Sequence, residues 1–305
     1  MSIFQNFNYQ PFAEAITKAI IHSLWQSLAI GLLVFFIVYF GKHLSSRFKY
    51  NIALGGLLLI VGSFMYTFLN AYQKPSINEL TAYGAQLQRL DWQTPQILVS
   101  DARISSTILA QEPAQNKWFY ERDNFQSALL FFWLIGSLIL ALKYIVSFIS
   151  VSKLRKNLIP LQHNHILWQT LESLQQKFYI GKKILIAASK SIDSPAIFGH
   201  LKPIILIPYG MINGISVEQA EAIIAHELAH YKRFDFIINL LQKLIETLMF
   251  YNPVVWKLSA YLNLEREKCC DDLAVSMLSD KMQYISALAF IQKQAIHLKT
   301  TYMMN

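Results

Sequence analysis

Ser216-Val-Glu-Gln219-Ala-Glu-Ala-Ile-Ile-Ala-His226-Glu227-Leu-Ala-His230-Tyr-Lys-Arg233-Phe-Asp235 is the stretch on which this sequence turns. Ser216 and Gln219, in an S-x-x-Q arrangement, form a capping box that opens a helix. Ala220, Ala222, Ile223, Ile224, Ala225, Leu228 and Ala229 give that helix a mostly apolar body. His226 and His230 are four residues apart, so both imidazoles leave one face, one turn apart. That spacing suits two ligands of a single zinc ion. Glu227 stands three residues before His230, within reach of a water on such a metal. Zinc pulls the pKa of that water from 15.7 toward ~7, and the glutamate can take its proton. Two paired surface histidines and a salt-bridging glutamate are the alternative reading of the same letters.

Composition sets the wider frame. Of 305 residues, 54% are apolar and only 15% charged, with a mean hydropathy of +0.31. Soluble globular domains carry about 25% charged residues, so the balance suggests a membrane protein with a soluble part. The net charge of +8 is no nucleic-acid signal, because the basic residues cluster beside apolar segments. The sequence holds no zinc finger, RNP motif or long basic stripe, and nucleic acid is not an expected partner. The two cysteines, Cys269 and Cys270, are adjacent, which agrees with a reducing compartment.

Three membrane spans are expected, at about residues 19–40, 52–69 and 127–150. Residues 1–18 lack the basic start and small-residue cleavage site of a signal peptide. Between the first two runs lie Lys42, Arg47 and Lys49 with no acid, so this loop faces the cytoplasm and the N-terminus lies outside. Residues 70–126 carry five basic and six acidic residues, a balance that fits an extracytoplasmic loop. Lys143 lies near the cytoplasmic end of the third span, and Lys153, Arg155 and Lys156 follow it. The first domain is therefore a membrane region over 1–150, and 151–305 is a cytoplasm-facing domain.

That second domain reads as α+β. His165 to Phe178 has helical spacing, while Lys183 to Ala188 and Pro203 to Pro208 are short β-rich runs. One of these strands is expected at a sheet edge beside the zinc-motif helix, where a peptide could add as a strand. Phe236 to Leu262 is apolar but holds Gln242, Lys243 and Glu246, and Asn252-Pro253 breaks it. It reads as a buried or membrane-surface helix, a break, then another helix, with a fourth span as the alternative.

Catalytic zinc usually takes three protein ligands, and the third is sought in Leu264-Glu265-Arg266-Glu267-Lys268-Cys269-Cys270-Asp271-Asp272. Glu267 and Asp271 share a helical face, so Glu267 can bind metal while Asp271 orients a histidine; Glu265 is the next candidate, and spacing does not separate the two glutamates. An ordinary charged helix is the bland reading. Vicinal thiols chelate zinc poorly compared with C-x-x-C and rank below the carboxylates. Asp235 is assigned to the helix end, anchoring it or Arg233. Tyr231 and Arg233 are read as structural.

These residues together resemble a known family. H226-E-L-A-H-x-x-R-x-D235, then Asn252-Pro253-x-x-Trp256, then E267-x-x-x-D271 with Cys270 before the aspartate, is similar to the BlaR/MecR membrane zinc metallopeptidases. Ser194-Pro195-x-x-Phe198-Gly199-x-x-x-Pro203-x-Ile205-x-Ile207-Pro208 fits the same pattern. The resemblance covers roughly residues 130–280. It implies a gluzincin: an α+β zincin-like domain on a bundle of about three transmembrane helices, with His226, His230 and Glu267 holding Zn2+ and Glu227 as general base. It favours Glu267 over Glu265, and makes Asp271 and Asp235 supporting residues. It further implies a peptidase in the inner (plasma) membrane, facing the cytoplasm, that cuts itself or a repressor when an external signal arrives. Expected partners are that protein substrate, membrane lipid, a sensor or signalling protein and a second copy of the chain. The family's antirepressors continue into a further span and a penicillin-binding sensor, and no S-x-x-K followed by K-T-G occurs here, so antibiotic sensing is not carried over. Two rivals stand beside this reading. One is a quality-control membrane protease of the HtpX type; the other is a non-enzymatic signalling or scaffold protein with a structural or empty zinc site.

Overall fold

The computed structural model describes residues 10–73, 115–154, 158–161, 165–199, 202–212, 214–278, 280–282 and 284–289. Most of the expected 70–126 loop therefore lies outside the described residues. Three long helices come first: α1 (Gln10–Phe40), α2 (Ser46–Gln73) and α3 (Gln115–Leu154). Within them Pro11–Phe40, Ser46–Gln73 and Asn124–Ser150 are long and apolar enough to cross a membrane. Each exceeds the ~20 residues a bilayer requires. Their surfaces carry exposed Leu28, Phe35, Leu59, Met65, Ile139 and Val146, apolar residues that water would not favour and lipid does. The helix bearing the third apolar run starts at Gln115, well before that run, because a helix need not stop where its hydrophobicity does.

By packing, the chain divides into two compact units, one of residues 1–30 with 58–137, the other of residues 31–57 with 138–305. In the first, Gln26 Nε2 donates to Thr67 Oγ1 at 3.2 Å, joining α1 to α2, and Phe12 meets Phe68 edge to face. The rest of this section concerns the second unit.

Here, among the described residues, a four-stranded sheet and the helices packed on it make a mixed α+β fold. The strands are β1 (Ile159–Pro160), β2 (Leu185–Ser189), β3 (Ala196–Phe198) and β4 (Ile204–Pro208), in the order β1-β2-β4-β3. The central pair, β2 and β4, is parallel with Ile186 opposite Ile205, so neither of the two β-rich runs lies at a sheet edge as expected; among the described residues β1 and β3 close the edges antiparallel. Central strands are buried on both faces and so lose the polar alternation of a half-exposed strand; β4, Ile-Ile-Leu-Ile-Pro, is buried throughout. The helices are α4 (Ile166–Lys177), α5 (Val217–Lys232), α6 (Asp235–Leu248) and α7 (Pro253–Met277). Leu167, Leu171 and Leu174 of α4, at helical spacing, pack with Ile205 and Ile207 of the sheet and Ile223, Ile224 and Leu228 of α5. Each such side chain contributes about 1.5–3 kcal/mol by leaving water. This core fixes α5 on the sheet.

Between α5 and α6 the chain turns sharply through Phe234, whose φ of 59° is left-handed and unusual for a side chain of that size. The break at Asn252-Pro253 forms as the sequence predicts: Asn252 Oδ1 accepts from Val254 N at 3.0 Å, and Pro253 opens α7 where its missing N–H costs nothing. The alternative of a fourth span is not supported among the described residues. With 14 residues α6 is too short, and α7 is not among the helices apolar enough to cross a membrane.

Candidate metal centre

The capping box that opens α5 is complete. Ser216 Oγ accepts from Gln219 N at 3.2 Å, and Gln219 Oε1 accepts from Ser216 N at 3.1 Å. From there α5 runs unbroken through its apolar body, presenting His226 and His230 on one face, their rings 4.8 Å apart. Glu227 is buried on the β3 side, where its carboxylate accepts from the backbone N–H of Ile197.

Helix α7 packs along α5 and supplies the third group. Glu267 Oε2 lies 3.6 Å from Nε2 of both histidines, and those two nitrogens are 3.2 Å apart. Zinc bonded to nitrogen and oxygen at ~2.0–2.2 Å in a tetrahedron holds neighbouring ligand atoms at about this separation. Glu265, the other candidate, is turned away: it is buried and pairs with Lys268 at 2.7 Å.

Both imidazoles are oriented from behind. His230 Nδ1 stands 2.9 Å from Asp235 Oδ2, and His226 Nδ1 stands 3.1 Å from Asp271 Oδ1. With each Nδ1–H donated to a carboxylate, both Nε2 lone pairs point at the same spot as the Glu267 carboxylate. Once the Nε2 protons are displaced, three electron pairs converge there, and this donor set fits zinc. A second group, His230, Asp235 and Cys270, is also close enough to hold a metal. It would use His230 Nδ1, which Asp235 already occupies, so the first group is the better site.

The charges tell the same story. Burial opposes a charged His226, but hydrogen bonds to Asp271 and Glu267 push its pKa up to about 10; for His230, Asp235 and Glu267 outweigh burial and push it to about 9. Glu267 is held well below the carboxylate range by His226 and then His230. Burial raises Glu227, against the pull of the two histidines, which moves it toward proton uptake. Asp235 stays ionised despite burial, held by His230, Cys270 and Arg233.

Three further groups stand around this site, and of them only Tyr284 had no signal in the sequence. Tyr284 donates to Asp271 Oδ1 at 2.5 Å and stands 2.9 Å from His226 Nδ1. Cys270 Sγ lies 3.1 Å from Asp235 Oδ2 and 3.3 Å from His230 Nδ1, a buried thiol in a supporting place and not a ligand's. Burial and then Asp235 raise its pKa, so it stays a thiol. Arg233 contacts Asp235 at 3.5 Å and lies 4.8 Å over the Tyr50 ring of α2. Tyr231 is partly buried against the core. Beside His226 and Glu227 opens a cavity of about 150 Å³, walled by Pro195, Ala222, Ile223 and Leu288.

Comparison with known proteins gives the family. A family model described as BlaR1 peptidase M56 matches residues 16–301. Regulatory protein BlaR1 of Bacillus licheniformis is 30% identical over 156 residues, 51% of this chain and 26% of that protein. The methicillin resistance mecR1 protein of Staphylococcus aureus is 28% identical over 161 residues, 52% of this chain and 27% of that protein. The matched stretch thus spans about a quarter of the length of these relatives. With the three apolar helices, these similarities describe an integral membrane protein of metallopeptidase type, and the chain belongs to the BlaR1 peptidase M56 family.

Proposed function

We propose that this chain is a membrane-bound zinc endopeptidase, its peptidase domain cytoplasmic, that cleaves itself or a repressor-like protein in response to a signal. The observation that carries this reading is the convergence of His226, His230 and Glu267 within 3.6 Å of one another beside a buried glutamate. Zinc held by His226, His230 and Glu267 would acidify a water and polarise a carbonyl. The remaining work belongs to the chain. Asp235 and Asp271 keep both imidazoles in the tautomer that leaves Nε2 free. Glu227, raised by burial, takes a proton from the attacking water and returns it to the departing amine nitrogen. The open edge of β3 runs beside α5, a place for a peptide to lie as an added strand, with the cavity at His226 receiving an apolar side chain.

Glu227→Gln tests this directly. It removes the base and leaves every ligand. The purified variant should keep about one zinc per chain, as in a closed set of three ligands, and lose cleavage of its own chain or a co-expressed repressor by ~10²-fold or more. Unchanged cleavage with zinc in place would overturn the reading in favour of a structural metal.

A further inference from the structure

Helix α6 is built inside out. Its exposed positions are Phe236, Ile237, Asn239, Leu240, Leu241 and Leu244, of which only Asn239, near the start, is polar. Its buried positions include Asp235, Gln242 and Glu246. A helix facing water shows the opposite arrangement. The inward polar groups are not strays. Gln242 Nε2 donates to Glu246 Oε1 at 3.1 Å and to Ser259 O at 3.2 Å, Arg266 Nη2 donates to Gln242 Oε1 at 2.6 Å, and Lys243 pairs with Glu246 at 2.8 Å. Polar residues paired with one another inside and large apolar residues outside are what hydrocarbon selects.

Two contacts tie the element to the spans. Tyr144 of α3 donates to Glu246 Oε2 at 2.8 Å, six residues inside the Ser150 end of its apolar span. Six residues of helix are ~9 Å of depth. Gly31 of α1, nine residues (~13.5 Å) inside the Phe40 end, is so close to the start of α7 that an added Cβ would lie 2.5 Å from Val254 Cγ1. The turn joining α6 to α7 is fit for such depth. Asn252 is fully buried and caps α7, and Trp256 Nε1 donates to Phe250 O at 2.7 Å. The exposed charge nearest the turn in sequence among the described residues, Lys257, belongs to α7 and not to α6.

We propose that the outward face of α6, Phe236, Ile237, Leu240, Leu241 and Leu244, is immersed in the acyl chains of the leaflet that the Phe40 and Ser150 ends of the spans meet. At ~21 Å for its 14 residues, the helix enters and turns back instead of crossing. His230 is five residues before Asp235, at the foot of α6, so the metal centre stands at the membrane surface. Only the corollary that the scissile bond is presented there rests on the peptidase reading.

Spin labels on Leu240→Cys and Leu244→Cys test the proposal in the full chain, reconstituted in phosphatidylcholine–phosphatidylglycerol liposomes. Collisions with oxygen and with a neutral nickel chelate are read separately. Leu142→Cys, exposed on the third span, gives the lipid reference, and Tyr179→Cys, 91% exposed outside the spans, gives the water reference. Wild-type protein, whose two cysteines are buried, gives the background. Both α6 labels should match Leu142→Cys, with oxygen favoured several-fold over nickel. Nickel access as at Tyr179→Cys would put the face in water and overturn the proposal. Low access to both reagents would overturn it in favour of a protein cover, such as a second copy of the chain. Neither label touches a metal ligand, so these outcomes stand whether or not the protein hydrolyses peptides.

Discussion

At the residue scale, the proposed third ligand, Glu267, is what would separate this site from two histidines on a helix. Glu267→Ala should strip the protein of zinc, measured by elemental analysis after dialysis against a weak chelator. Glu265→Ala, two residues away, should keep it, because Glu265 faces Lys268 and not the histidines. The supporting carboxylates matter by a smaller factor: Asp271→Asn should weaken zinc binding about 10–100-fold, read by chelator competition. Protons compete for the same place. In the metal-free protein His226 is pushed to about 10 and His230 to about 9, so at neutral pH both nitrogens hold protons that zinc must displace. Zinc affinity should therefore climb as pH rises from 7, releasing about two protons per ion below about 9 and about one between 9 and 10, and level off only above about 10. An affinity flat across that range would mean that the histidines are neutral before metal arrives.

At the element scale, what could be read from the letters was whatever is local. The capping box of α5, the helix of α4, the two central strands and the Asn252-Pro253 break all depend on residues within a turn or two of one another, and each forms where the spacing puts it. Spacing could place Glu267 and Asp271 on one face but could not aim that face; the packing of α7 along α5 does so. Tyr284 was invisible for a plainer reason: it is 58 positions from the His226 it supports, and a lone tyrosine carries no motif. Asp235 was legible as a helix-end residue, yet its bond to His230 depends on the left-handed Phe234 between the two helices. Ser216→Ala should cost about 1 kcal/mol, seen as a lower melting temperature with zinc content unchanged, since it loosens the far end of α5. Gln242→Leu should cost more, about 1–3 kcal/mol, because it leaves the buried Arg266 Nη2 without its partner.

At the scale of the whole molecule, the basic loop between α1 and α2 is the sequence feature behind the proposed orientation. Lys42, Arg47 and Lys49 have no acidic counterpart there. A green fluorescent reporter inserted after Ser45 should fluoresce, and alkaline phosphatase at the same place should be inactive; the reverse pair would put the peptidase domain outside the cell. One close approach in the second unit has a mechanical meaning. Gly31 is a notch in α1 into which the first turn of α7 fits, and Glu267 lies 13 residues, about 20 Å, further along that same unbroken rod. A rigid helix wedged at one end swings at the other. Gly31→Ala should thus act as a lever, detuning a metal ligand from a position in the lipid-facing part of the chain that has no contact with the metal centre.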